Sequence, residues 1–324
     1  LLGRALAIRE ARLGPNHLDV AATQHNLGLL LLLQGDRLGA RQLLTRVLAI
    51  RERQLDDSHP ELISILNDLG TVHYRTGDEA QALTLHERAL ASQRRRLPAG
   101  HRDIASSLRN LALVRDARGE HDAALDLASE AASLGEQALG REHPDLAPFL
   151  NTLGMLQRRR DPVLAEATLT RALALSVRGR GRRHAAAATS LLRLGEVYLD
   201  RRMDNEAQAS LDEALAIREG LGRDTPEVAE VLVVLAELAL ARGRPGDAAP
   251  LLERALVIRS KDGIPGRQLA AVRFALARAL DAAGPSERAR SRELAQQAAA
   301  AWQADGAASA AELAAVSAWA KLHP

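Results

Sequence analysis

The chain has 324 residues, of which 47% are apolar and 26% charged, so it can bury a core and is not globally disordered. It contains no cysteine, which excludes disulfides, thiolate zinc sites and cysteine nucleophiles. Its 43 basic and 41 acidic residues nearly balance, which gives no reason to expect nucleic acid or an anionic membrane as a partner. Aromatic residues make up only 2%, so packing rests on leucine and alanine and favours helices over sheets.

A leucine followed by a small residue recurs along the chain every 41 or 42 residues. A helical signal such as Arg46-Val47-Leu48 recurs in step with it, and a turn such as Gly77-Asp78 lies between the two. Three markers that keep one period predict an array of internal repeats. The leucine pairs are Leu27-Gly28, Leu69-Gly70, Leu111-Ala112, Leu153-Gly154, Leu194-Gly195, Leu235-Ala236 and Leu276-Ala277.

Each period predicts two helices joined by a short turn. In one repeat the first helix begins at Pro60, which suits the first helical position, and ends before Gly77, which tolerates a positive φ. The second helix spans residues 78–96. Antiparallel helices approach to about 8 Å only where side chains are short, so Gly70 and Ala82 are predicted to mark the crossing.

The repeat pattern His-Pro-x-x-Ala/Ile, Leu-Asn-x-Leu-Gly, Gly-Asp-x-x-x-Ala and Arg-Ala-Leu-x-Ile-Arg-Glu resembles the tetratricopeptide repeat in the longer form found in kinesin light chains. The resemblance covers about residues 1–304. It implies an all-α fold, a right-handed α-α superhelix of seven helix pairs with an N-terminal half repeat and a C-terminal capping helix. The implied boundaries are 1–13 for the second helix of a truncated repeat, 14–304 for seven repeats in one continuous solenoid, and 305–324 for the capping helix.

The two ends of the chain carry different expectations. Residues 1–10 match the second helix of a repeat whose first helix is missing, so we expect further residues upstream. Residues 272–280 and 310–319 resemble the C-terminal end of repeat arrays attached to bacterial serine/threonine protein kinases. That resemblance implies a possible kinase domain upstream in the same polypeptide.

No membrane span or secretory signal is predicted, and we expect a cytoplasmic protein. The longest apolar stretch, between Asp19 and Asp36, is interrupted by polar residues from Thr23 to Asn26 and is a poor membrane span.

Catalytic and metal sites are not predicted, and no cofactor is expected. Kinase signatures, a nucleophile elbow and a phosphate-binding loop are absent from the sequence. Five histidines recur with the repeat, each too far from the next to share a metal ion, so each is expected to shape the start of a first helix. They are His17, His59, His101, His143 and His184. The arginine-glycine run at residues 178–183 is interpreted as a solvated loop, although phosphate or RNA binding is an alternative.

The candidate site is the groove that first helices line in a two-helix solenoid. In kinesin light chains, asparagines of the Leu-Asn-Asn-Leu-Ala motif contact the backbone of an extended bound peptide, and the resemblance implies that role here. The alternative is that these are ordinary polar surface positions, or, for asparagine, an inter-helix hydrogen bond. Later repeats depart from the motif, although Arg193 is suited to an acidic group. The predicted groove residues are Asn26, Asn67, Asp68, Tyr74, Arg75, Arg109, Asn110, Asn151 and Arg193.

The leading hypothesis is therefore a non-catalytic protein–protein interaction scaffold that binds an extended segment of a partner. The alternative is the regulatory or substrate-recruiting arm of a bacterial serine/threonine kinase whose catalytic domain lies outside this chain. Self-association through the uncovered N-terminal helix, with Leu1, Leu2, Leu6 and Ile8, is a third interpretation. Nucleic-acid binding by arginine-rich helices ranks lowest.

Overall fold

The structure is a computed structural model that describes residues 1–261, 266–305 and 309–323. The predicted all-α repeat fold is confirmed, because the described residues form sixteen α-helices and no strand. Short 3₁₀ turns at Pro144–Leu146 and Pro285–Glu287 precede the eighth and fifteenth helices. The helices are α1 Leu2–Leu13, α2 Leu18–Leu33, α3 Arg37–Glu52, α4 Pro60–Arg75, α5 Glu79–Arg96, α6 Arg102–Ala117, α7 His121–Leu139, α8 Ala147–Gln157, α9 Pro162–Arg180, α10 Ala185–Asp200, α11 Asp204–Leu221, α12 Pro226–Ala241, α13 Pro245–Lys261, α14 Gly266–Ala283, α15 Arg288–Asp305 and α16 Ala310–Leu322.

The helices fall into two compact units, Leu1–Leu156 and Gln157–Pro324. In the first unit, α2 packs on α3, α4 on α5, and α6 on α7. In the second unit, α10 packs on α11, α12 on α13, and α14 on α15. The single continuous solenoid and its boundaries stay predictions, and part of the proposed capping segment, residues 306–308, lies outside the described residues.

The predicted role of the recurrent histidines is confirmed. Each of the five is the N-cap residue of a first helix or of the 3₁₀ turn before α8, and its Nδ1 accepts the backbone N–H two residues later. At His59 the accepted N–H is that of Glu61, at 3.2 Å. A donor of the first helical turn is thereby satisfied.

Small residues allow close packing within the helix pairs, as predicted. A Cβ added at Gly28 would lie 2.7 Å from Leu44, and one added at Gly195 would lie 2.6 Å from Leu211. At Gly70 the neighbour is the ring of His86, at 2.9 Å. In the turn that follows, Gly77 adopts a φ of 80°, which an L side chain rarely takes. The glycines therefore set both the contact and the turn.

In the second unit, α16 packs on α15, and an aromatic residue of α14 contacts both helices. Phe274 contacts Trp302 and Trp319 edge to face, with ring centroids 5.8 Å apart in both pairs. Val316 on the same helix is 2% exposed. At the other end of the chain, α1 has no buried residue, and Leu1, Ile8 and Leu13 are exposed. Within the described residues, no helix combines the length and hydropathy needed to cross a membrane.

Candidate functional site

The first helices of successive repeats lie side by side in the first unit. Nε2 of His25 on α2 lies 2.7 Å from Oδ2 of Asp68 on α4. The hydroxyl of Ser107 on α6 donates to Oδ1 of Asn67 on α4 at 3.2 Å. These contacts join α2, α4 and α6. We call the solvent-facing residues of α2, α4, α6 and α8 the first-helix face.

The side-chain oxygen of Asn67 is used inside the protein. It accepts hydrogen bonds from the hydroxyl of Ser107 and from Nδ1 of His86, which lies 3.0 Å away on α5. Burial, with repulsion from Arg109, lowers the pKa of His86 to about 4, so its ring is neutral near pH 7. Within the described residues the amide NH₂ of Asn67 has no such partner, and Asn67 lines a pocket on the first-helix face.

The side-chain oxygen of Asn110 on α6 is also used inside the protein, but its donor is an arginine. Nη2 of Arg109 donates to Oδ1 of Asn110 at 3.1 Å, which fixes the orientation of the amide because an arginine can only donate. The guanidinium of Arg109 lies over the ring of Phe149, 5.8 Å from its centroid, and burial lowers its pKa. The predicted groove residue Arg109 is therefore largely an internal support, and Asn110 lines the same pocket as Asn67.

The pocket has a volume of about 290 Å³ and lies between α4 and α6, beside the C-terminal end of α5. It brings together three of the predicted groove residues, Asn67, Asp68 and Asn110, and adds residues that the sequence analysis did not select. The most informative of these additions are Ile63, Gln93 and Asp103.

The other predicted groove residues of the first unit lie outside this pocket. Asn26 and Arg75 are exposed, Tyr74 is half-buried, and Asn151 is only 7% exposed. Asn151 and Tyr74 also make contacts within the fold. A partner segment therefore has little access to the Asn151 side chain.

Arg193, the predicted acceptor of an acidic group, belongs to the second unit. Its guanidinium donates to Glu196 at 2.8 Å and to Glu230 at 2.6 Å. Burial opposes its charge, but these two carboxylates outweigh burial and raise the pKa of Arg193. An acidic partner group would have to displace Glu196 or Glu230, so the geometry disfavours this role.

Sequence reasoning missed a recurrent arginine near the C-terminal end of the second helices. Arg51 is 3% exposed, and its Nη1 donates to the backbone oxygen of Glu61 at 2.9 Å. Arg9 donates to the backbone oxygen of Asp19 at 3.2 Å. The signal was available, because these residues stand at one position of the repeat. Within the described residues, no group of His, Asp or Glu side chains could hold a metal ion.

A family model described as tetratricopeptide repeat matches residues 1–53, 20–95, 103–176 and 186–261. Curated proteins give no match. Among solved structures, the chain is similar to nearly identical TPR-like repeats assigned to a kinesin light chain of Podosopora anserina, with 24% identity and a TM-score of 0.50. That similarity covers 64% of this chain and 99% of the other.

Two further structures share the fold at lower identity. Aspartyl phosphate phosphatase F from Bacillus subtilis has 12% identity and a TM-score of 0.60, covering 93% of this chain and 74% of the other. A Rap protein complexed with competence and sporulation factor has 13% identity and a TM-score of 0.56, covering 94% of this chain and 100% of the other.

Proposed function

Because the chain belongs to the tetratricopeptide repeat family, whose fold binds proteins or peptides, we propose that its first-helix face binds an extended segment of a partner protein. Proteins of this family are generally non-catalytic, and the proposal assigns no reaction to the chain. The expected cytoplasmic location is part of the same proposal.

One observation carries the proposal. Asn67 and Asn110 each give their side-chain oxygen to the protein itself, and both residues line the same pocket. An amide held in this way donates to the carbonyl oxygens that an extended backbone presents. Because helices hold both donors in place, little conformational entropy is lost on the protein side when a segment binds.

Binding of acetylated, amidated peptides of about ten residues tests the proposal. A library of such peptides is screened against the full chain, and the affinity of the best peptide is measured by titration calorimetry. The double variant Asn67→Ala and Asn110→Ala is expected to weaken binding about tenfold or more, since two hydrogen bonds are lost. Asn16→Ala, at an exposed loop position before α2, is the matched control. Equal affinity of the folded double variant and the wild type would reject the proposal.

A second candidate is the recruiting arm of a serine/threonine kinase, in which the same face would hold the substrate. It is supported only by the resemblance of residues 272–280 and 310–319, which include the aromatic residues Phe274 and Trp319. The sequence that precedes Leu1 in the gene tests it. A kinase domain there would support this candidate, and any other domain would remove it.

A further inference from the structure

Gln93 stands where four other repeats carry the recurrent arginine, at Arg9, Arg51, Arg218 and Arg259. Each of these residues follows the first residue of the Arg-Ala-Leu-type signal by the same interval. Arg51 shows what the arginine does in the preceding repeat of the first unit. Its guanidinium donates to the backbone oxygen of Glu61, pairs with the Glu61 carboxylate at 3.3 Å, and donates to Nδ1 of His25 at 3.3 Å.

Residues at the equivalent positions surround Gln93, but position 93 itself carries no cation. By the repeat interval, Asp103 corresponds to Glu61, and Asn67 corresponds to His25. Both residues line the pocket, together with Gln93 itself. The Gln93 side chain is shorter than arginine and neutral, so it does not offer Asp103 the charge that Glu61 meets one repeat earlier.

Two acceptors at this pocket lack a strong partner. Gln93 is 4% exposed, and its Oε1 finds no hydrogen-bond donor among the described residues. Leaving a buried acceptor unsatisfied is unfavourable, which distinguishes Gln93 from an ordinary surface glutamine. Within the described residues, the charged or chargeable group paired with the Asp103 carboxylate is His101, whose Nδ1 lies 3.7 Å away and already accepts the Asp103 backbone N–H.

In the following repeat of the same unit, the equivalent space is filled by an aromatic ring. The residue there is Gly135, and a Cβ added to it would lie 3.2 Å from Phe149. An arginine fills the space beside α4, and a phenylalanine fills it beside α8. Beside α6 there is instead a pocket of about 290 Å³. This volume accommodates one long side chain, since it lies at the lower end of small-molecule sites.

We propose that this pocket binds the guanidinium of an arginine side chain from the partner segment. The inference rests on the proposed function, and it names the side chain that the first-helix face selects. The Asp103 carboxylate and Oε1 of Gln93 accept the guanidinium hydrogens, and Ile63 and Pro60 flank its methylene stem. Oε1 is shielded from water in the structure, so a rotation of the Gln93 amide about χ3 accompanies binding.

The charges around the pocket agree with a cationic guest. Asp68 and Asp103 line it, and Arg96 is the one cation among its lining residues in the described part of the chain. The guanidinium of Arg96 donates to the backbone oxygen of Ser58 at 3.2 Å, which holds it at the rim. Arginine suits the site better than lysine because its planar fork matches a carboxylate and an amide oxygen together.

Two probes test the pocket separately from the groove. The first is N-acetylarginine methylamide, compared with its neutral isostere N-acetylcitrulline methylamide, each titrated into the ¹⁵N-labelled full chain and followed by NMR. The second is the best library peptide, compared with the same peptide in which each arginine is replaced by citrulline. Gln93→Arg is the decisive variant, because it supplies the guanidinium that the sibling repeats carry. Asp103→Asn removes the charge at an exposed position and is the second variant.

We expect the arginine derivative to shift resonances of α4, the end of α5 and α6, and the citrulline derivative to leave them unmoved. We expect replacement of arginine by citrulline to weaken the affinity of the peptide about tenfold, equal to about 1.4 kcal/mol. In both variants, the arginine and citrulline peptides should bind with equal affinity. Peptide binding that depends on Asn67 and Asn110 but shows no preference for arginine would overturn the proposed arginine pocket. It would leave the proposed peptide binding intact. Arginine binding at the pocket without any peptide binding would overturn the groove alone. Absence of any peptide binding, together with unmoved resonances on addition of the arginine derivative, would overturn both proposals.

Discussion

Nδ1 of His86 lies 3.0 Å from Oδ1 of Asn67, and this buried contact links the core of one repeat to the face that meets solvent. The ring also fills the space beside Gly70, where sibling repeats place a leucine such as Leu44 or Leu211. A core position has thereby become the support of a candidate binding residue. The cost of using histidine there is sensitivity to acid.

Acid is expected to destabilise the protein through His86. Burial lowers its pKa from the ordinary 6.5 to about 4, so below pH 6.5 the unfolded chain takes up a proton that the folded chain does not. The stability contributed by the neutral ring is therefore complete above pH 6.5 and is lost as the pH falls from 6.5 toward 4. We expect a loss of about 3 kcal/mol across that range.

Urea unfolding at pH 7 and pH 4.5, followed by circular dichroism, measures this effect. His86→Leu is the matched control, because leucine occupies the equivalent buried positions 44 and 211. Between pH 7 and pH 4.5, the free energy of unfolding of the wild type should fall more than that of His86→Leu. An unchanged difference between the two free energies would show that His86 does not govern the acid response.

Removal of a histidine cap from a first helix is expected to lower the free energy of unfolding. His59→Ala leaves the backbone N–H of Glu61 without its acceptor and should cost about 1 kcal/mol. His59→Asn keeps a cap acceptor and should restore most of that loss. Free energies of unfolding at pH 7 distinguish the two. Equal losses in both variants would mean that the histidine contributes by packing instead of by capping.

Close helix packing is expected to fail when Gly195 gains a methyl group. In Gly195→Ala the new Cβ would lie 2.6 Å from Leu211, so the pair must separate or distort at a cost of about 1–3 kcal/mol. Gly220→Ala is the matched control in α11, because no atom lies within 4 Å of the added Cβ. The control should gain about 0.5–1 kcal/mol from helix propensity. The melting temperatures should move in opposite directions, and parallel shifts would contradict the packing argument.

Loss of the buried arginine is expected to destabilise the first unit. Arg51→Gln copies the residue that stands at position 93 and removes the bonds to Glu61 and His25. Charge-assisted hydrogen bonds of this kind contribute about 1.5–3 kcal/mol, and the half-exposed Glu61 carboxylate places the loss at the lower end of that range. Urea unfolding of Arg51→Gln, compared with that of Gln93→Arg, measures this loss of stability. A neutral effect would contradict the assigned role of Arg51.

The sequence was sufficient to predict the helices, their turns and the histidine caps, because each depends on residues a few positions apart. Pro60 and Gly77 act locally, and His59 reaches only to Glu61. The spacing of 41 or 42 residues then aligned the repeats with one another.

The details of the site depend on contacts between repeats, which the sequence pattern does not reveal. Oδ1 of Asn67 is taken by His86 and Ser107, which lie 19 and 40 residues away in the chain. The partner of Arg193, Glu230, lies 37 residues away, so a cation that looked available is neutralised. Hydrophobic periodicity also treats a buried arginine as a surface residue, which concealed Arg51 and therefore the significance of Gln93.

The most direct test of the central claim is an NMR titration of the full chain with the best library peptide, observing the side-chain NH₂ groups of Asn67 and Asn110. If these amides donate to the backbone of the bound segment, both resonances shift in proportion to the occupancy that calorimetry reports. Saturating peptide that leaves both NH₂ resonances unmoved would contradict the account, because it would place the partner on another surface.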